Sequence, residues 1–436
     1  MGIRSAPRFA HVTLAATTVV HAFTHMYATM FGPLYIVMRD DLGLSAVSKV
    51  TLLVTLYGVV YWSLAYPAGV LADRFDRRLL LGIGLIGNAA CILAMGLLHS
   101  YSALVALSVF AGAFGTLFHP CANALIPAHY PKAPGMAIGL LGIGSGIGFF
   151  AGPFYAGWSA QHSTFGGDFL ASWQRPCVEL GLAGLVCGVA YLFIAREPDP
   201  ASRHRLFSSV PHHDSTPRPH LPPYLRRRTI AHAWAIALRE FTGVGSMTLT
   251  ALYLLKAQNL STQTTGSYLG LAMLGAAFVN PVTVYLTAGR RRLPAHVVIL
   301  VLASLVTASI PLIPPGGVLY ILIALMTLLL ASSAVGDAGL TERIDPHFRG
   351  RVNGIFLTIV GTIAAVSPFA AGFAVDLLGD RAASPHAYLP LYATLAVLVL
   401  ASTISAHTLN AFGKPPPPPP ETPAHEQHQE PRRTIA

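Results

Sequence analysis

Twelve apolar stretches, centred near residues 24, 60, 88, 115, 146, 187, 243, 276, 304, 329, 364 and 398, leave this chain one setting in which to fold. About 20 residues of helix rise roughly 30 Å, the thickness of a bilayer's hydrocarbon core. Backbone groups in lipid must be satisfied within the spanning segment, which a helix does alone and an open strand cannot. Charged residues make up only 11% of the chain, against roughly 25% in soluble domains. The reading is an all-α membrane protein with twelve transmembrane helices.

An even number of spans puts both termini on one side. Of the 28 Lys and Arg residues, 22 fall in the segments on that side and only five (Arg39, Lys49, Arg175, Lys256 and Arg381) in the opposite loops. The positive-inside rule then makes both ends cytoplasmic and the formal charge of +10 topological. A nucleic-acid surface is the reading this displaces. The first apolar run is too long and lacks the small-residue site of a removable signal peptide. Cys91, Cys121, Cys177 and Cys187 lie in or beside apolar runs without a CxxC pattern, so no disulfide framework is expected.

A polar interruption over 196–228, ending in Arg226-Arg227-Arg228, divides the chain into an N-terminal six-helix bundle (1–195) and a C-terminal one (229–410). The bundles are related. A shift of 215 lays Pro131, Gly135, Gly139, Gly146, Pro153 and Gly157 on Pro346, Gly350, Gly354, Gly361, Pro368 and Gly372. A shift of 214 lays Pro67 on Pro281 and Arg77-Arg78 on Arg291-Arg292, with Thr287 opposite Asp73. Glycine and proline set backbone geometry and helix approach, so their coincidence implies two copies of one scaffold. Residues 411–436, with prolines at 415–420, are expected to be a disordered cytoplasmic tail. His212, His213 and His220 in the central loop read as solvated side chains.

Between the second and third runs stands Gly69-Val70-Leu71-Ala72-Asp73-Arg74-Phe75-Asp76-Arg77-Arg78. This turn resembles the signature loop of the major facilitator superfamily of transporters. The resemblance implies a major facilitator fold in which Gly69, Asp73, Arg74, Arg77 and Arg78 form a conformational latch against the start of the eleventh helix, near Gly350 to Asn353. A carboxylate there meets a helix N-terminus and nearby arginines. The fifth run carries Gly139, Gly148, Gly152, Pro153 and Gly157, similar to the antiporter motif of facilitator drug exporters apart from Ala156. Small residues would let helices 5 and 8 pack closely.

Polar groups inside lipid are costly and become functional candidates. They are His21 and His25 one turn apart, His119 within Phe118-His119-Pro120, and Arg239-Glu240 in the seventh run. The repeat offset relates His25 to the 239–240 pair, so the two are expected to face each other across a central cavity. His21 with Tyr27, Pro33-Leu34-Tyr35 and Phe118-His119-Pro120 resemble the fosmidomycin-resistance branch of the superfamily. That branch places carboxylates where this chain has His25 and Cys121, and other drug antiporters place an arginine near Val109.

The expected function is alternating access in a bacterial inner membrane, with proton-coupled export of an anionic or amphiphilic small molecule. Protons would be carried at Glu240 and the histidines, by a monomer with no cofactor and no resident metal. Two alternatives are proton-coupled import of a metabolite and transport of a transition metal or its chelate through His21, His25, Met26, His119 and Cys121. A non-transporting scaffold gains nothing from charge buried in helix 7. Catalytic signatures such as G-x-S-x-G or HExxH are absent, which argues against an enzyme.

Overall fold

A computed structural model of the protein describes residues 6–162, 169–198, 221–345 and 348–413, apart from the side chains of 276–281. The Pro281 side chain, Pro346, the loop histidines and the proline tail lie outside this description. No strand occurs among the described residues. The first half contains α1 (Arg8–Thr29), α2 (Tyr35–Asp41), α3 (Ser48–Ser63), α4 (Ala65–Arg74) and α5 (Arg77–Leu97). It continues with α6 (Tyr101–Gly115), α7 (Phe118–His129), α8 (Pro134–Ser159) and α9 (Gln174–Ile194). The second half contains α10 (Pro223–Lys256), α11 (Thr262–Leu286), α12 (Arg292–Ser309) and α13 (Val318–Arg343). It ends with α14 (Arg349–Leu378), α15 (Leu389–Ala401) and α16 (Ile404–Ala411).

Eight segments among the described residues are long and apolar enough to cross a membrane. The pair α3 and α4, bent by 47°, makes a ninth. The helices α1 and α10, with 22 and 34 residues, are long enough to cross but stand outside that apolar set, and α11, with 25, is described only in part. The helix α1 carries His21 and His25, and α10 the Arg239-Glu240 pair. The helix α10 begins at Pro223, so Arg226 to Arg228 form part of its first turns. There the Arg228 guanidinium lies 5.1 Å from the Tyr224 ring centre.

Helix packing follows the internal repeat. Within the halves, α1 lies along α8 as α10 lies along α14, and α5 along α9 as α12 along α15. Between the halves, α8 packs on α11 and α3 on α14. Both seams close at one end and part at the other, as the glycines report. A Cβ on Gly157 would strike the Thr262 carbonyl, one on Gly266 the Pro153 carbonyl, and one on Gly372 the Thr51 hydroxyl. At the other end Gly69, Gly135, Gly139, Gly350 and Gly354 have nothing within 4 Å of such an atom. That parted end carries the arginine-rich turns and is called the basic end below.

The turn at 74–78 is built from its own charges. Asp76 caps α5, its carboxylate accepting from the Leu79 N–H at 2.9 Å, and lies 3.8 Å from Arg78. Arg77 pairs with Glu197 at 3.5 Å, and its backbone N–H donates to the same carboxylate at 3.2 Å. Burial pushes the Glu197 carboxyl above its usual range, and Arg77 opposes the shift. Glu197, just past α9, therefore ties the turn to its own half.

Candidate transport site

The glycines of α8 bring α1 close enough to present its histidines. A Cβ on Gly144 would meet the Thr18 carbonyl and His21; on Gly148, the Ala22 carbonyl and His25; on Gly152, Thr29 and the Met26 backbone. The antiporter-like stretch thus serves two helices, α1 along 144, 148 and 152 and α11 at 157. Gly139 contacts neither. Gly148→Ala is expected to destabilise the protein by about 1–3 kcal/mol through overpacking. Gly139→Ala should be neutral, and thermal unfolding in detergent compares the two.

His21, His25 and His119 converge, with one ring nitrogen of each within 4.8 Å of the others. The His21 Nδ1–H donates to the Leu141 carbonyl at 2.9 Å, and the Nε2 atoms of His21 and His25 are 3.1 Å apart. Aromatic rings wall the group. Phe118 stacks on His21 at 4.5 Å, Phe149 lies 4.2 Å from His25, and Trp62 stacks on His119 at 6.1 Å. Cys121, expected among metal donors, is not part of this group. It is fully buried and feels the charges of Arg77 and Glu197 in the turn-bearing wall.

Arg239 and Glu240 form an ion pair, with Arg239 buried and Glu240 partly open. Arg239 Nη1 also donates to Ser332 at 3.2 Å, while the Ser333 hydroxyl donates to Glu240 at 2.8 Å. Asp337, one turn beyond Ser333 on α13, lies within electrostatic reach of both. It escaped the sequence reading, although it is the lone charge in the apolar run 318–340.

His25 and Arg239-Glu240, expected to face each other across a central cavity, are placed as follows. Among the described residues no hydrogen bond or ion pair joins the two groups. Arg239, Glu240 and Ser333 line a central cavity of about 210 Å³ together with Thr29, one turn beyond His25, and Phe149, which packs on His25. His119 and Trp62 instead line a cavity of about 1070 Å³ that opens toward the basic end. Asp73, Gly69, Gly350 and Arg351 form the mouth of that larger space, with Asp73 and the start of α14 on opposite walls. Asp73 makes no hydrogen bond or ion pair among the described residues.

Two halves meeting along paired seams, a charged cavity between them and the 69–78 turn at one mouth describe a transporter scaffold. A match to the Major Facilitator Superfamily runs over residues 17–336. The chain belongs to that superfamily. It is accordingly a multi-pass membrane protein, of a family whose members are transporters rather than enzymes. Among similar proteins is the multidrug resistance protein MdtG of Klebsiella pneumoniae, 30% identical over 171 residues, 38% of this chain and 39% of that protein. MdtG of Salmonella arizonae is 34% identical over 134 residues, covering 30% of this chain and 33% of that protein. The matches thus span two fifths or less of those relatives.

Solved facilitator structures share the fold over nearly the whole chain. A bacterial homologue of the human lysosomal transporter Spinster, captured inward-facing and unoccupied, superposes with a TM-score of 0.74 at 16% identity, covering 94% of this chain and 98% of that one. A mutant of the nucleoside transporter NupG gives 0.69 at 11% identity, covering 92% and 100%. At such identities the likeness is one of fold.

Proposed function

We propose that the protein is a proton-coupled secondary transporter that exports an anionic or amphiphilic small molecule by alternating access. In this reading α1, α10 and α11 complete twelve crossings of a bacterial inner membrane, both termini are cytoplasmic, and the molecule works as a monomer. The basic end then faces the cytoplasm, and the arrangement described is open inward. The observation carrying the proposal is the Arg239-Glu240-Ser333 group on the wall of a cavity lined by both halves. A carboxylate partly open to that cavity and held beside a buried cation can exchange its proton with a substrate that competes for the cation. Arg239 offers positive charge to an anion, and Met247, Leu269, Met273, Met326 and Leu329 offer an apolar bed. The partial likeness to multidrug resistance proteins supports the export direction.

Proteoliposomes holding the protein and a pH-sensitive dye, given a proton gradient and a panel of anionic and amphiphilic compounds, test the reading. At least one compound should move internal pH in step with its own transport. Transport that leaves internal pH unchanged would remove the proton from the cycle.

A further inference from the structure

We propose that His21, His25 and His119 form a binding site for a divalent first-row transition-metal cation, with Zn²⁺, Co²⁺ and Ni²⁺ as the fitting class. Nitrogen ligands at about 2.0–2.1 Å from a metal stand roughly 3.3–3.6 Å apart for tetrahedral to trigonal angles. The His21 and His25 Nε2 atoms are already 3.1 Å apart, and the His119 donor lies within the same 4.8 Å cluster. A small ring rotation, on the order of 1 Å at the donor atom, closes the set.

The surroundings suit this use. A carbonyl only accepts, so the Leu141 contact holds the Nδ1 proton of His21 and leaves Nε2 as the ligating lone pair, the support that metal-binding histidines usually have. His25 then donates its Nε2 proton to His21 in the neutral pair, and ligation through Nε2 requires that proton to leave or move to Nδ1. Three imidazoles without a carboxylate favour borderline transition metals over Mg²⁺ or Ca²⁺. Phe118, Phe149 and Trp62 shield the cluster, and His119 opens it to the larger cavity. With three neutral ligands the bound ion keeps its positive charge and an open position, which favours a water or an anionic chelating group from that cavity. The site does not depend on proton coupling and is tested without transport.

The full-length protein, purified in detergent and freed of metal, would be titrated with Co²⁺ alone. One equivalent should develop the intense ligand-field absorption of a low-coordinate site, and Zn²⁺ should abolish it. His25→Gln and His119→Gln should each weaken binding by more than about 100-fold, beyond the effect of losing an outer-shell partner. A variant with His212, His213 and His220 replaced by glutamine should keep the band. Zn²⁺ should raise the thermal midpoint of the parent but not of His119→Gln. The stacked, partly open His119 makes that variant the safer one to fold. An unchanged cobalt spectrum in His119→Gln, or no band in the parent, overturns the site.

Discussion

Glu240→Gln is expected to bring pH-gradient-driven transport down to the level of protein-free vesicles while the protein still inserts and runs monodisperse. Glutamine keeps the shape of the side chain and an oxygen for Ser333, whose hydroxyl now donates to Glu240 at 2.8 Å. It cannot hold or release the proton. The buried Arg239 guanidinium would keep Ser332 but lose its counter-charge. Counterflow down a substrate gradient needs no proton and should persist, which separates lost coupling from lost folding. Proton uptake in proteoliposomes and tracer counterflow measure the two. If coupling survives Glu240→Gln and disappears in Asp337→Asn, the proton is carried by Asp337 on α13 instead. If it survives both, neither carboxylate carries it.

The second large effect is expected at the closed end. The carboxylate of Asp376, near the end of α14, accepts from the backbone N–H groups of Val47 and Ser48 at 2.9 Å each. These are unsatisfied donors at the start of α3, whose own Val47 has no side chain able to cap them. The bond therefore joins the two halves. Asp73 stands at the other end of the same seam, on the α3–α4 span, across the cavity from the start of α14. One antiparallel helix pair thus carries a carboxylate at each end, one engaged and one parted. Asp376→Ala should weaken the closed end by about 1–2 kcal/mol, the usual worth of a cap. That is a shift of roughly 5- to 30-fold toward the outward-open form. In a background without native cysteines, Met247→Cys places a thiol on the central cavity, where an impermeant reagent added at the closed end should label it faster by that factor. Asp376→Asn keeps an acceptor oxygen and should fall between, while Asp73→Ala should slow the labelling. Equal rates in all four proteins would mean that these carboxylates do not set the balance.

The candidate residues were legible in the sequence because lipid makes polar side chains conspicuous. His21, His25, His119, Arg239 and Glu240 stand out from apolar runs; Arg239, Glu240 and His119 line cavities between the halves, and His21 and His25 pack against His119. The partners that orient them were not legible. Ser332 and Ser333 are ordinary helix residues until α13 turns them toward α10, and the Leu141 carbonyl carries no signature. Glu197 and Asp376 look like loop-end carboxylates among others, and only the fold brings them to Arg77 and to the start of α3. The antiporter-like glycines were visible, but not that 148 and 152, joined by Gly144, serve α1 while 157 serves α11.

Apolar run length, the basic side, the twofold repeat and the 69–78 turn were determined by the sequence alone, because each reflects a local demand: bilayer thickness, charge retention, helix approach or a tight turn. The tertiary structure decided which polar groups meet, which cavity each one lines and which end of the seam is shut. Those outcomes rest on contacts between residues far apart in the chain, such as Asp376 with Val47 and Arg77 with Glu197, and no local pattern encodes them.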